Sequence, residues 1–347
     1  MQTDSEAAPT RAAHNPWRAE IAPYATPDRG RALLDLATSV VPYLLLWPVM
    51  VWALDRSFWL MLAIAVPASG FALRTFIVFH DCGHGSFFAS KTANTWVGRF
   101  CALLMLTPYA SWRHSHAVHH ATAGDLDRRG EGDVPTMTVA EYNAASPALR
   151  LGYRLFRNPL VLFTLGPIWA FMVGPRIVKR SMRPRMRNSA LLTNLAIVVC
   201  SVAMSLLIGW WQYLLILTLM VLFAGGAGVW LFFVQHQFED TYWESGEQWS
   251  YAEAALRGSS YLKLPQPLKF FSGNIGLHHV HHLSARVPNY KLQAAHDALP
   301  VFKDVPVLTV WDALKAPRLK LWDEEHGRIV TFREARRRAP RPLPATS

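Results

Sequence analysis

Charge is scarce in this chain of 347 residues: only 17% of it is Asp, Glu, Lys or Arg, against about a quarter in ordinary soluble domains. The length would permit two solvated domains, but so few charges argue against them. Cysteine is scarcer still. Cys82, Cys101 and Cys200 are too few and too scattered for a disulfide framework or a thiolate zinc site, and Cys82 reads as a buried reduced thiol. Met1–Arg31 has no apolar h-region and is not expected to be a signal peptide. A dinucleotide-binding glycine fingerprint, a cysteine cluster for iron–sulfur and a His-Pro-Gly-Gly signature are all missing, which excludes those fused redox modules. Acidic residues are outnumbered 24 to 35, yet no nucleic-acid motif accompanies the basic excess, and no nucleic-acid partner is expected.

What the chain has in abundance is apolar sequence, 51% of its residues. Leu36–Leu54 and Phe58–Phe79 are each long enough to cross a bilayer, for which ~20 residues suffice. Ala190–Ile208 and Tyr213–Val234 form a second such pair. The linkers within each pair are short, Asp55–Ser57 and Gly209–Gln212, so each pair is read as a helical hairpin. Trp96–Tyr109 and Phe156–Val173, the latter broken by Pro159, Gly166 and Pro167, read as re-entrant or interfacial helices. Basic residues of short loops stay on the cytoplasmic side. The two linkers hold one, Arg56, whereas His80–Asn188 holds fourteen, which puts the middle segment and both termini inside. Three parts are expected: a polar segment 1–31, a membrane domain 32–335 and a disordered basic tail 336–347.

Histidines cluster beyond the ends of these runs: His80 with His84, then His116, His119 and His120, then His278, His281 and His282, with a lone His236 after the fourth span. Residues at i, i+3 and i+4 share a helix face, so each cluster can aim its rings at one point, and histidine is the commonest metal ligand. For His80 and His84 alone, two interfacial histidines in water are the competing reading. His114 precedes His116 by two and points away; His279 is an alternative to its neighbours. Nine imidazoles exceed the four ligands of a structural zinc site and suit two metals. Iron, copper, nickel and zinc all accept neutral nitrogen donors. Ligating imidazoles usually hand their other N–H to a carboxylate or carbonyl, for which Asp81, Asp125, Glu239 and Asp240 are near in sequence. The topology carries a demand: all nine must lie on one side of the membrane, so Trp96–Tyr109 cannot cross alone.

HDCGHGSFF, WRHSHAVHH, VQHQFED and GNIGLHHVHHLSARVPNY together resemble the integral-membrane fatty-acyl desaturases of the bacterial acyl-lipid type, over roughly residues 30–330. The resemblance implies an all-α integral membrane fold, with four transmembrane helices under a cytoplasmic helical cap that carries a histidine-ligated di-iron site, in the bacterial plasma membrane. It implies two iron ions bound by His80, His84, His116, His119, His120, His236, His278, His281 and His282, and Asn274 as a loose candidate to act through water. It implies O2 as co-substrate, removal of two hydrogens from adjacent methylenes of a phospholipid acyl chain, and, with no fused redox module, electrons from a separate ferredoxin-like donor attracted to the basic face.

An acyl chain has no polar handle near its middle, so the depth and bend of an apolar tunnel must select the site of reaction. Phe87, Phe88, Trp112, Trp230 and Phe232 lie near the motifs and are candidate linings, against ordinary packing as the alternative. Gly225, Gly226 and Gly228 either permit close helix packing or open room for substrate. Arg74 is expected to snorkel toward headgroups and, with Arg286, to meet a lipid phosphate or ester. Two rival functions remain: an alkyl or carotenoid hydroxylase or ketolase on the same ligands, and a metal transporter. A transporter needs ionisable residues near mid-membrane, whereas these histidines stand beyond the spans.

Overall fold

The computed structural model describes residues 17–338; residues 1–16 and 339–347 of the expected polar segment and tail lie outside them. In chain order the helices are α1 (Trp17–Ile21), α2 (Arg29–Leu54), α3 (Phe58–His84), α4 (Lys91–Leu104), α5 (Tyr109–Thr122), α6 (Val139–Ala144), α7 (Pro147–Phe156), α8 (Pro184–Ile208), α9 (Trp210–Met220), α10 (Gly226–His236), α11 (Tyr251–Arg257), α12 (Gln266–Phe271) and α13 (His278–Leu283). Shorter elements follow, up to a helix at Phe332–Arg338. Residues 336–338 therefore belong to a helix and not to the disordered tail read from composition.

Four stretches are long and apolar enough to cross a membrane: α2, α3, α8, and α9 with α10 taken together as Trp210–His236. They correspond to the four expected spans but run further. Asp28 caps α2 by accepting from the Arg31 N–H at 2.7 Å, so that helix begins at Arg29, ahead of the apolar run that starts at Leu36. The turn between α8 and α9 is Gly209 alone, at φ 89°, where a four-residue linker was expected. A π-helical turn at Val221–Gly225 joins α9 to α10.

The surface of α8 decides how these helices live. Leu192, Leu195, Val198, Val199, Leu206 and Leu207 are all exposed along it, and none of its apolar window is buried. Burying such a side chain is worth about 1.5–3 kcal/mol, so a helix that leaves all of them uncovered is built for lipid. This is a membrane protein. By contrast half of the α3 window is buried, making α3 the central helix, packed by α2, α4 and the π-helical turn.

The two intermediate runs are not straight spans. The first is split: α4 ends at Leu104, α5 starts at Tyr109, and Leu106 takes a positive φ of 53° in the turn between them. The second pairs α7 with Val161–Arg176 across a 64° bend. The fold is not purely helical. A strand at Met137–Thr138 pairs in parallel with Leu321–Asp323, which pairs antiparallel with Arg328–Val330; Tyr261–Lys263 pairs in parallel with Val307–Thr309. These pairings tie segments far apart in sequence, which local periodicity cannot reveal.

Cys200 tests the placement of α8. It is the exposed cysteine, whereas Cys82 and Cys101 are buried. In intact vesicles both a charged and an apolar maleimide should modify Cys200 far more slowly than in the denatured protein, because a thiol in hydrocarbon forms little thiolate; labelling as fast as in the denatured protein would remove α8 from the bilayer.

Candidate metal centre

The last turn of α3 carries HDCGH, so His80 and His84 leave that helix on one face, and Gly85, in the left-handed region at φ 73°, ends it one residue later. His116, His119 and His120 project from the last two turns of α5, His236 from the final residue of α10, and His278, His281 and His282 from α13. The nine rings sort into two sets. His80, His84, His116, His120 and His281 form one, and His119, His236, His278 and His282 the other; within each set the facing nitrogens lie within 4.8 Å of one another. Both α5 and α13 contribute to both sets. Their histidines at i, i+3 and i+4 are divided between two neighbouring centres.

The nitrogens face each other in a way that neutral imidazoles alone cannot fully satisfy. His80 Nε2 lies 2.9 Å from His116 Nε2, which lies 3.2 Å from His120 Nε2, which lies 2.9 Å from His281 Nε2. An imidazole nitrogen is either an N–H or a lone pair. Alternating tautomers along this run would share one proton between two acceptors and one lone pair between two donors. His84 Nε2 is buried and has no partner at all. A cation at the centre would receive the lone pairs together. Two nitrogens across a metal at about 2.1 Å each would stand about 4.2 Å apart, so each set has the right size for one ion. The residues fit two metals, with five and four nitrogen donors.

Hydrogen bonds on the far side of several rings fix which nitrogen faces inward. His80 Nδ1 donates to Asp81 Oδ1 at 2.9 Å, His119 Nδ1 to Asp133, and His236 Nδ1 to the Gly258 carbonyl at 3.1 Å. Among the four expected carboxylates only Asp81 does this. Asp125 turns to Arg128 and the Asp127 N–H, Glu239 pairs with Arg328, and Asp240 is exposed. Burial, reinforced by neighbouring imidazoles, holds His116, His120, His278, His281 and His282 well below the usual 6.5. They are therefore neutral at physiological pH, the form in which a ring binds metal.

Behind His80 runs a buried polar chain. Asp81 Oδ2 accepts the Asn289 N–H at 2.6 Å, the Asn289 side-chain amide donates to Asp35 Oδ2 at 2.9 Å, and Asp35 pairs with Arg74, which also donates to the Phe270 carbonyl. Arg74 is thus turned inward and held, and does not snorkel to the headgroups as expected. Three further polar residues fall outside both sets: His279 pairs with His296 at 2.9 Å, His114 with Arg183 at 3.1 Å, and the Asn274 amide donates to the Asn289 carbonyl at 3.3 Å.

An apolar cavity of about 350 Å³ opens against histidines of both sets. Its walls include His80, His116 and His278 at one end and Tyr43, Leu217 and Met220 deep among the spans. Trp112, stacked on His116 at 4.5 Å, and Phe232, packed on the His119 ring at 4.9 Å, both line it. Gly225 and Gly228 line it too, while Gly226 does not. The other expected contacts lie elsewhere. Phe87 and Phe88 pack in the core beside Tyr290, Trp230 packs on a separate cluster, and Arg286 is exposed.

Comparison with known proteins assigns the chain to a family. The family model described as fatty acid desaturase matches residues 57–308. A fatty acid desaturase of Bacillus subtilis (strain 168) is 46% identical over 328 residues, covering 94% of this chain and 93% of that protein. This chain belongs to the fatty acid desaturase family. The desaturase is also similar to two proteins of Synechocystis sp. (strain ATCC 27184 / PCC 6803 / Kazusa). A sn-1 acyl-lipid omega-3 desaturase (ferredoxin) is 31% identical over 237 residues, 65% of this chain and 63% of that protein. A sn-1 oleoyl-lipid 12-desaturase is 28% identical over 246 residues, 70% and 69%. The protein is accordingly an oxidoreductase acting on fatty acyl chains.

Asp133 was not among the residues read from sequence, and it tests the hydrogen bonds behind the rings. Asp133→Ala removes the acceptor that orients His119 and should weaken metal retention roughly 10–100-fold, read by elemental analysis after graded chelator challenge. Unchanged retention would show that His119 does not depend on it.

Proposed function

We propose that this desaturase introduces a double bond into the acyl chain of a membrane phospholipid in an O2-dependent reaction, with two iron ions held by the nine imidazoles. When bound and reduced, the irons would supply oxygen activation and the removal of two hydrogens from adjacent methylenes. The observation that carries the reading is the cavity: an apolar pocket that begins at three of the histidines and extends among the membrane-spanning helices. Along Trp210–His236 its lining runs from Leu217 to Gln235, about 27 Å at 1.5 Å per residue, a depth suited to a long acyl chain.

The chain's own residues have definable tasks. Trp112 and Phe232 line the histidine end of the cavity beside His116 and His119 and place apolar surface where the methylenes would lie. The Gln235 amide, at the cavity wall, commits one of its two N–H groups to the Ile275 carbonyl at 2.8 Å, which fixes its orientation. With few polar anchors, the distance from the wall at Tyr43 and Met220 to the histidines would select the carbons that react. An apolar, water-poor pocket also keeps reactive oxygen chemistry from being spent on solvent.

Four hairpin-forming spans with both termini and the histidine-bearing ends toward the cytoplasm, in a bacterial plasma membrane, complete the proposal. The fourteen basic residues of His80–Asn188 support that orientation. They also suit an acidic, ferredoxin-like electron donor, and one Synechocystis relative carries ferredoxin in its name.

Expression in a host that lacks desaturases, followed by mass spectrometry of its fatty acids, tests the reaction. A product lighter by two hydrogens is expected; one heavier by an oxygen would assign a hydroxylase instead. Gly228 tests the cavity. A Cβ there would stand 3.6 Å from Leu73 Cδ1, an ordinary contact, so Gly228→Ala should be near neutral. Gly228→Phe should obstruct the chain and lower turnover by about 10²-fold, the cost of misplacing substrate by an ångström, with iron content unchanged. Wild-type turnover in Gly228→Phe would place the acyl chain elsewhere.

A further inference from the structure

Helix α5 has a second face with nothing to do with the histidine sets. Opposite the cavity, a groove of about 810 Å³ runs between α4, α5 and the start of α8, and shares no wall residue with the cavity. Four guanidiniums line it: Arg99, Arg113, Arg183 and Arg185. No Asp or Glu lines it, and among the described residues none of the four is paired with a carboxylate. Arg99 lies over the Trp96 ring, 5.1 Å from its centre, and Arg183 donates to His114 Nε2 at 3.1 Å, the nitrogen that the half-exposed Glu131 carboxylate approaches to 3.9 Å from outside the groove lining. Like charges gathered with no carboxylate in contact with them repel one another, and here the position adds to the cost. Arg183 is the N-cap of the 25-residue α8 and Arg185 stands in its first turn, where no acidic residue and no side-chain cap is present. The positive end of a helix dipole favours anions and disfavours cations. An anion in the groove would relieve both effects, and arginine is suited to grip phosphate oxygens two at a time.

The other half of the groove says where that anion comes from. Leu103, Leu192 and Ala196 continue its floor, and Leu192 belongs to the lipid-facing surface of α8. A cationic pocket that passes into apolar wall at the end of a spanning helix matches a phosphate joined to an acyl chain. The geometry points to a binding site for an anionic glycerophospholipid, its headgroup phosphate among the four arginines and one acyl chain along α8. Because the cavity lies on the opposite side of α5, this lipid is not the one processed. It braces the helix that carries His116, His119 and His120. The inference rests on α8 facing lipid and not on the reaction catalysed.

The test uses the purified full-length protein in detergent. Phosphatidylglycerol, phosphatidylcholine or inorganic phosphate is titrated, with thermal unfolding and native mass spectrometry as readouts. Phosphatidylglycerol should raise the unfolding temperature and remain bound. In Arg99→Gln/Arg185→Gln its affinity should fall about tenfold or more, as expected for losing two charge-assisted contacts. Both side chains are exposed, and a wild-type unfolding temperature in the absence of added lipid checks that the variant has folded. Arg333→Gln/Arg337→Gln, of equal charge change, should bind as wild type. Three results would overturn the site: equal effects of phosphatidylglycerol and phosphatidylcholine, the full effect from inorganic phosphate alone, or a double variant that keeps its lipid affinity and changes only the KM for an acidic electron donor.

Discussion

Nine ring nitrogens turned toward one another, five of them in a group that neutral tautomers cannot fully satisfy, is the constraint that the rest of this molecule serves. Left to themselves they would cost stability, because a buried polar atom without a partner forfeits its hydration. They are held in place by four helices, α3, α5, α10 and α13, whose ends meet at one level. Spacing does the sorting. In α5 the rings at positions 116 and 120 belong to one set and that at 119 to the other; in α13 position 281 separates from 278 and 282 in the same way. Helical geometry thus converts one short motif into donors for two adjacent centres, and only the isolated His236 and the α3 pair are needed to complete them.

The support behind the rings is as long-range as the rings themselves. From His80 the hydrogen bonds pass through Asp81 and Asn289 to Asp35, and the ion pair with Arg74 closes the chain on α3 again, one and a half turns earlier. Two carboxylates and one guanidinium share this buried region. A buried ion pair is weak evidence for stability in its own right, but removing one partner typically costs about 3–5 kcal/mol because the other is left uncompensated. Its structural effect is to lock α2, α3 and the segment after α13 together directly behind the candidate metal centre.

The features legible in the sequence are those carried by local spacing. Four apolar runs of bilayer length became four helices because length and hydropathy are properties of a segment, and three histidine motifs became shared faces because i, i+3 and i+4 is a property of a turn. Proximity in sequence served less well for substrate contacts. Trp112 and Phe232 line the cavity, but Trp230, two residues from Phe232, lies about 200° around the helix and packs elsewhere. Phe87 follows the turn at Gly85 into the core. The partners of Asp81 were out of reach for a different reason: Asn289 is 208 residues away, and Asp35 another 254 from Asn289. Asp133 sits in a loop with no periodicity to mark it. Arg74 was read as a lone charge in a span because its counter-ion lies on another helix.

Helix α8 stands apart from this interlocked core. It touches α4 and α5 near its start and α9 near its end, and the apolar length between is surrendered to lipid. Shape therefore constrains it little; hydrophobic thickness constrains it much. Interchange of Leu, Val and Ala along that stretch preserves what it does so long as the span still matches the bilayer, since the penalty for mismatch accrues per ångström of thickness and not per contact. The same exchange in α3 would open or overfill a packed interior. The two helices, alike in length and hydropathy, are thus expected to drift at very different rates, one answering to the membrane and the other to its neighbours.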